Sequence, residues 1–120
     1  MEEFDWVTER QKCSLVSVFE SLKMQLKQDV AIRQNQLHPG YGFCFDEGHS
    51  YAVVRLEGDK NATVRFEVGR SIVCTYDGTQ VFTAAPTLSD DGKCRLKVNG
   101  KELDLWQISK LALEDMFFNI

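Results

Sequence analysis

The sequence has no long hydrophobic run and no leader-like start. No apolar stretch approaches the roughly 18 residues of a membrane-spanning helix. Residues 1 to 6 have neither the basic region nor the apolar region of a secretory signal. We therefore expect a cytoplasmic protein that does not bind membranes.

Cysteine is present only as four scattered residues. Cys13, Cys44, Cys74 and Cys94 follow one another at intervals of 31, 30 and 20 residues and form no C-x-x-C pair. In a chain without a secretory signal, this spacing is typical of reduced, mostly buried thiols. We expect no disulfide framework.

Motifs that hold nucleotides or nucleophiles are also missing. Neither G-x-G-x-x-G nor G-x-x-x-x-G-K occurs, so nucleotide binding has no support and no cofactor is expected. A serine framed by glycines, as in hydrolases, is absent too. The net charge of −4 is spread along the chain, which disfavours nucleic acid as a partner.

What the sequence does contain is the pattern of a single α+β domain over residues 1 to 120. Hydrophobic residues make up 43% of the chain and charged residues 27%, which is ordinary for a globular protein. One apolar stripe at steps of three and four predicts an amphipathic helix over residues 14 to 36, with the stripe formed by Leu15, Val18, Phe19, Leu22, Leu26 and Val30. His38, Pro39 and Gly40 would end this helix.

Residues 1 to 13 allow two interpretations. Asp5 could cap a helix that begins at Trp6, with Thr8 at its third position. Alternatively, the segment is an arm that ends where Ser14 caps the main helix. The sequence leaves both open.

Regular turn signals predict an antiparallel meander over residues 41 to 103. We place strands at residues 41 to 46, 49 to 57, 62 to 68, 71 to 76, 79 to 84 and 93 to 98, with a short seventh possible at 101 to 103. Residues 85 to 89 are expected to form a loop. Alternation points the following toward the helix: Tyr41, Phe43, Phe45, Ala52, Val54, Leu56, Val64, Phe66, Val68, Ile72, Cys74, Tyr76, Cys94, Leu96 and Val98. Val53 falls on the outer face, and Val81 and Phe82 compete for the inside.

A second helix is predicted over residues 104 to 118. Asp104 and Gln107 form a capping-box pair at its start. Apolar residues surround almost the whole helix, and Leu111 and Phe118 lie outside its main apolar face. A helix of this kind is buried on several sides or contacts another subunit.

Three polar groups could carry chemistry. His49 with Asp46 or Glu47 could act as a general base, with Tyr51 nearby. His38, Cys44, Asp46 and His49 have spacings that a zinc site could use. The outer sheet face gathers basic side chains that could meet single-stranded nucleic acid: Arg55, Arg65, Lys93, Arg95 and Lys97. In each case a polar turn, a buried thiol or a solvated sheet face explains the residues more simply, so we expect neither an enzyme nor a metal site.

Two functions remain. The first is a non-enzymatic interaction or structural module that forms a homodimer through Met24, Ile32, Leu111 and Phe118. The alternative is a domain that binds a small apolar ligand in a pocket between helix and sheet, lined by Phe43, Phe45, Phe66, Tyr76 and Trp106.

Overall fold

The computed structural model describes residues 3–37 and 42–119. Its elements follow the chain as α1 (Trp6–Lys12), α2 (Leu15–Gln36), β1 (Gly42–Glu47), β2 (Tyr51–Glu57), β3 (Ala62–Val68), β4 (Ile72–Tyr76), β5 (Thr79–Leu88), β6 (Cys94–Val98), β7 (Lys101–Leu103) and α3 (Leu105–Phe118). The predicted α+β class is confirmed. The end of the first helix at His38, Pro39 and Gly40, and the inward position of Tyr41, lie outside the described residues.

The amino-terminal region forms a helix from Trp6, as the first interpretation predicts, and not an arm, although Ser14 caps α2 as the second predicts. The Asp5 carboxylate accepts hydrogen bonds from the Thr8 main-chain nitrogen at 3.0 Å and the Thr8 hydroxyl at 2.7 Å, which caps the short helix α1. The Ser14 hydroxyl then accepts from the Ser17 nitrogen at 3.2 Å and caps α2. The chain therefore forms two separately capped helices.

All seven strands form one antiparallel meander in sequence order. The seventh strand is present and pairs with β6. The predicted loop at residues 85 to 89 is wrong, because Ala85 to Leu88 continue β5 and pair with β6. Pro86 is compatible with this strand because β4 pairs with β5 only as far as Ala84, so one side of the Pro86 segment needs no donor.

Helices α2 and α3 contact each other and cover the same face of the sheet. The predicted stripe of α2 is confirmed: five of its residues are buried and Leu15 is partly buried against them. They meet the inward side chains of the strands, of which Val54, Val64, Phe66, Ile72 and Cys74 are fully buried. Burial of this apolar surface is the main stabilising contribution to the fold.

Two features of the sheet concern the predicted alternation of inward and outward side chains. Val53, predicted on the outer face, is buried. It lies between Asp46 and Arg65 on the neighbouring strands, whose side chains flank it. On β5 it is Phe82 that points into the core and is buried, whereas Val81 is exposed.

The expectation of unpaired cysteines is wrong for two of the four. Cys13, at the end of α1, forms a disulfide with Cys94 at the start of β6, with 5.5 Å between their Cα atoms. Spacing along the chain cannot show that the end of α1 lies over β6, which is why the pair was missed. Closing a loop of 81 residues constrains the unfolded chain and contributes about 4 kcal/mol of stability in the chain-entropy description. Cys44 and Cys74 are free thiols.

Candidate functional site

The outward face of α3 carries a row of four exposed side chains at steps of four residues: Trp106, Lys110, Glu114 and Phe118. Residues four apart lie above one another on a helix and form a continuous ridge. An aromatic ring therefore stands at each end of this α3 ridge, with one basic and one acidic side chain between them. Lys110 Nζ lies 3.3 Å from a Glu114 carboxylate oxygen.

A groove of about 310 Å³ separates this ridge from α2. Ile32 on α2 and Trp106 and Phe118 on α3 line it, with exposed fractions of 48%, 56% and 62%. Large apolar side chains at this exposure, gathered in one place, are typical of a surface that contacts another molecule.

The floor of the α2–α3 groove is polar and ordered. Ser109, buried on α3, donates its hydroxyl to the Asp29 carboxylate at 2.6 Å, and the Gln25 amide donates to the same oxygen at 3.0 Å. The Ser109–Asp29 bond joins the two helices below the exposed apolar side chains, and the Gln25 bond, within α2, holds the Asp29 carboxylate in place. They fix the spacing of the groove walls.

A second recess, of about 600 Å³, lies on the other side of the α3 ridge, next to β6 and β7. Trp106, Lys110 and Glu114 border this recess as well as the α2–α3 groove. Leu111, which is exposed, lines this second recess and not the α2–α3 groove. The α3 ridge therefore stands between two depressions, a shape that allows ridge and groove to interlock with a second helix.

The structure places three of the four predicted interface residues beside the α3 ridge. Ile32 and Phe118 share the α2–α3 groove and Leu111 lines the second recess. Met24 is exposed on α2 but lines neither depression.

In the part of the chain that the structure describes, each of the five main depressions is lined by at most one of the five residues predicted to form a ligand pocket. Phe66 is fully buried in the core, where its ring meets Phe82 edge-on at 6.3 Å between ring centres. Phe43 packs edge-on against Phe117 at 5.0 Å and borders a separate groove. Phe45 and Tyr76 are partly buried against the core, and burial raises the pKa of the Tyr76 hydroxyl. Trp106 is on the α3 ridge.

The polar groups considered for catalysis lie at the turn between β1 and β2. Asp46, Glu47 and His49 are exposed there, and Tyr51 starts β2 with the Arg65 guanidinium 5.1 Å from its ring centre. Within residues 3–37 and 42–119, no group of three or more His, Cys, Asp or Glu side chains is placed to hold a metal ion. His38 lies outside the described residues.

The basic residues of the outer sheet face are partly engaged with carboxylates. Arg65 pairs with Glu67, and Arg95 pairs with Asp91 and Asp104. Arg55 and Lys97 are exposed on β2 and β6, and Lys93 is exposed just before β6. Pairing with acidic neighbours reduces the positive field that would attract a phosphate backbone.

Sequence reasoning missed Lys23, a charged residue buried on α2. Its ammonium group lies 2.7 Å from Glu20, donates to the main-chain oxygen of Gly48 at 3.0 Å and sits 5.3 Å from the Phe19 ring centre. Lys23 thereby ties α2 to the turn that carries His49. Its position beside the apolar stripe of α2 was the available signal.

Among the described helices, none is long and apolar enough to cross a membrane. Comparison of the chain with protein-family models, with curated proteins and with solved structures finds no match. The function is therefore argued from the surface of the molecule itself.

Proposed function

We propose that this chain is a non-enzymatic protein-interaction module that forms a homodimer through the outward face of α3. The observation that carries the proposal is the order of side chains along the α3 ridge: aromatic, basic, acidic, aromatic. A two-fold interface uses the same surface on both copies, so that surface must be complementary to itself.

The α3 ridge meets this condition when two copies run antiparallel about an axis that crosses the ridge midway between Lys110 and Glu114. Trp106 of one copy then lies opposite Phe118 of the other, and Lys110 lies opposite Glu114. Because the axis is two-fold, each of these two pairings occurs twice in the interface. Aromatic contacts would supply buried apolar area and the charge pairs would fix the direction of the helices.

The depressions on either side of the ridge support the same arrangement. Each ridge can enter a depression beside the partner's ridge, which is how packed helices interlock. Ile32 and Leu111 would then be covered along with the aromatic residues. This accounts for four exposed apolar side chains that the core of one copy leaves in water: Ile32, Trp106, Leu111 and Phe118.

The experiment is a charge exchange followed by sedimentation equilibrium. Lys110→Glu alone places two acidic residues opposite each other at both pairings and should weaken dimerisation at least tenfold. Glu114→Lys alone should have a similar effect with two basic residues. Lys110→Glu combined with Glu114→Lys restores opposite charges and should restore most of the affinity.

Two further variants and one control complete the design. Phe118→Glu and Leu111→Glu should give monomers, because each buries an unpaired carboxylate in the interface. Val16→Glu changes another exposed apolar residue, which lies on α2 and lines neither depression, and should leave the dimer intact. A parent protein that is monomeric at about 100 µM, or single charge changes without effect, would overturn the proposal.

The other expectations from the sequence stay predictions. A ligand-binding role would appear as additional mass in a native mass spectrum of the same sample. The Cys13–Cys94 bond weighs against a permanently reduced protein, because stable disulfides are typical of oxidising compartments.

A further inference from the structure

Helix α1 is held to the molecule by few contacts. None of its seven residues is buried, and Phe4, Trp6 and Val7 are large apolar residues that remain exposed. A helix of this length is not stable by itself in water. It contacts β5, and its two ends are held to the sheet by the Cys13–Cys94 bond and by the Phe4 ring against the backbone at Gly92.

The remaining chain has a helix start and a core outside α1. Helix α2 has its own cap at Ser14, directly after Cys13, so it can begin whether or not α1 is formed. Phe19, Leu22 and Leu26 anchor α2 to the core. The junction between Cys13 and Ser14 is therefore a natural hinge.

The two cysteines of the disulfide differ in their exposure to solvent. Cys94 is exposed, whereas Cys13 has only 1% of its surface exposed. We therefore expect a reductant to approach the bond from the Cys94 side. Of the two free cysteines, Cys74 is buried and burial raises the pKa of its thiol to about 12, which keeps it from exchanging with the bond.

We propose that the Cys13–Cys94 disulfide is a redox-controlled clasp that docks α1 when oxidised and releases it when reduced. The reductant is a small or protein dithiol. Its thiolate attacks the Cys94 sulfur and forms a mixed disulfide, while Cys13 leaves as a thiolate and takes a proton from water. The second thiol of the reductant, as a thiolate, then attacks the reductant's first sulfur in the mixed disulfide, and Cys94 leaves as a thiolate and takes a proton from water. Two electrons pass from the dithiol, which becomes a disulfide, to the cysteine pair.

Release of α1 changes the surface next to it. Lys12 and Cys94 form part of the wall of a pocket of about 180 Å³, whose other lining residues include Val18, Leu96 and Leu103. Moving α1 opens this pocket and frees an arm that carries Phe4, Trp6 and Val7. This inference concerns a region away from the α3 ridge and does not rest on the proposed dimer.

Trypsin provides a direct test, because Arg10 and Lys12 are cleavage sites within α1. In the oxidised protein the helix and the hydrogen bond from Arg10 to the Cys13 main-chain oxygen, at 2.6 Å, protect these sites. Incubation with dithiothreitol should increase the rate of cleavage after Arg10 and Lys12 at least tenfold. Cleavage after Arg55 and Lys97, within the sheet, should stay slow. Mass spectrometry of the fragments measures all four rates.

Variants separate the clasp from other effects of the reductant. The double variant Cys13→Ser with Cys94→Ser should behave as reduced protein with and without dithiothreitol. Cys44→Ser removes a free thiol and should respond as the parent does. Unchanged cleavage in α1 on reduction would overturn the proposal and leave a static cross-link. Cleavage after Arg55 and Lys97 that becomes as fast as cleavage within α1 would overturn it as well, because the bond would then hold the whole fold.

Discussion

Arg33, near the end of α2, donates two hydrogen bonds to the main-chain oxygen of Phe117 near the end of α3. The bonds run from Nε at 3.1 Å and from Nη2 at 2.8 Å. The last carbonyl groups of a helix lack partners within the helix and carry the negative end of its dipole. The same guanidinium lies 4.2 Å from the ring centre of Phe118. Arg33 therefore holds both the end of α3 and the aromatic residue that completes the α3 ridge.

Replacing Arg33 with methionine should loosen the last turn of α3. The variant keeps a side chain of similar length but loses two charge-assisted hydrogen bonds and the contact with the Phe118 ring. Amide hydrogen exchange over residues 115 to 119 should become roughly tenfold faster, which corresponds to about 1.4 kcal/mol of local stability. Lys27→Met changes an exposed cation on the same helix and serves as the control. Equal exchange in both variants would contradict the assigned role of Arg33.

Ser109 and Asp29 provide a second test of the α2–α3 junction. Ser109→Ala removes one of the two donors to the Asp29 carboxylate and should lower the free energy of unfolding by about 1–2 kcal/mol. Alanine also favours a helix by about 0.5 kcal/mol relative to serine, which partly offsets the loss. Ser21→Ala, at an exposed position on α2, gains this preference alone and is the matched control. If urea unfolding gives Ser109→Ala and Ser21→Ala the same free energy of unfolding, the Ser109–Asp29 bond contributes nothing to stability.

Local sequence patterns were sufficient for most of the secondary structure. The stripe of α2, the caps at Asp5 and Ser14, and the capping box of Asp104 and Gln107 all depend on residues within four positions of each other. Short connections gave the order of the strands, because a turn of a few residues pairs neighbours. Residues 85 to 89 were misassigned because β5 changes partners there, and a change of partner leaves no local mark.

Relationships between distant elements could not be obtained in the same way. Alternation placed Cys94 on the side facing the helices, but nothing in the sequence placed Cys13 beside it. The exposure of Ile32 and Phe118 followed from helical periodicity alone, whereas their meeting in one groove depends on how α2 and α3 cross. The five residues of the predicted pocket are separated for the same reason. Periodicity gives the face of an element and not the distance between elements.

Arg95 links three elements through two carboxylates. Its Nη1 lies 2.7 Å from Asp91 before β6, and its Nε lies 3.0 Å from Asp104, the cap of α3. The hydrogen bond from Arg95, together with one from the Lys93 main-chain nitrogen, lowers the pKa of Asp91 from 3.8 to about 2. A carboxyl group with a lowered pKa in the folded state stabilises the protein above its unfolded pKa. This contribution is present above about pH 4 and is lost as the pH falls through about 2.

Arg95→Met should therefore raise the pKa of Asp91 toward 3.8, though not fully, because the Lys93 nitrogen still donates to it at 3.1 Å. The stability difference between parent and variant should be greatest near neutral pH and shrink as the pH falls from 4 to 2. Carboxyl carbon shifts in an NMR titration report the pKa directly, and thermal unfolding across the same range reports the stability. Arg65→Met removes a different paired arginine, far from Asp91 along the chain, and should leave the Asp91 titration unchanged. Identical Asp91 curves in the parent and in Arg95→Met would mean that the main-chain donor alone sets this pKa.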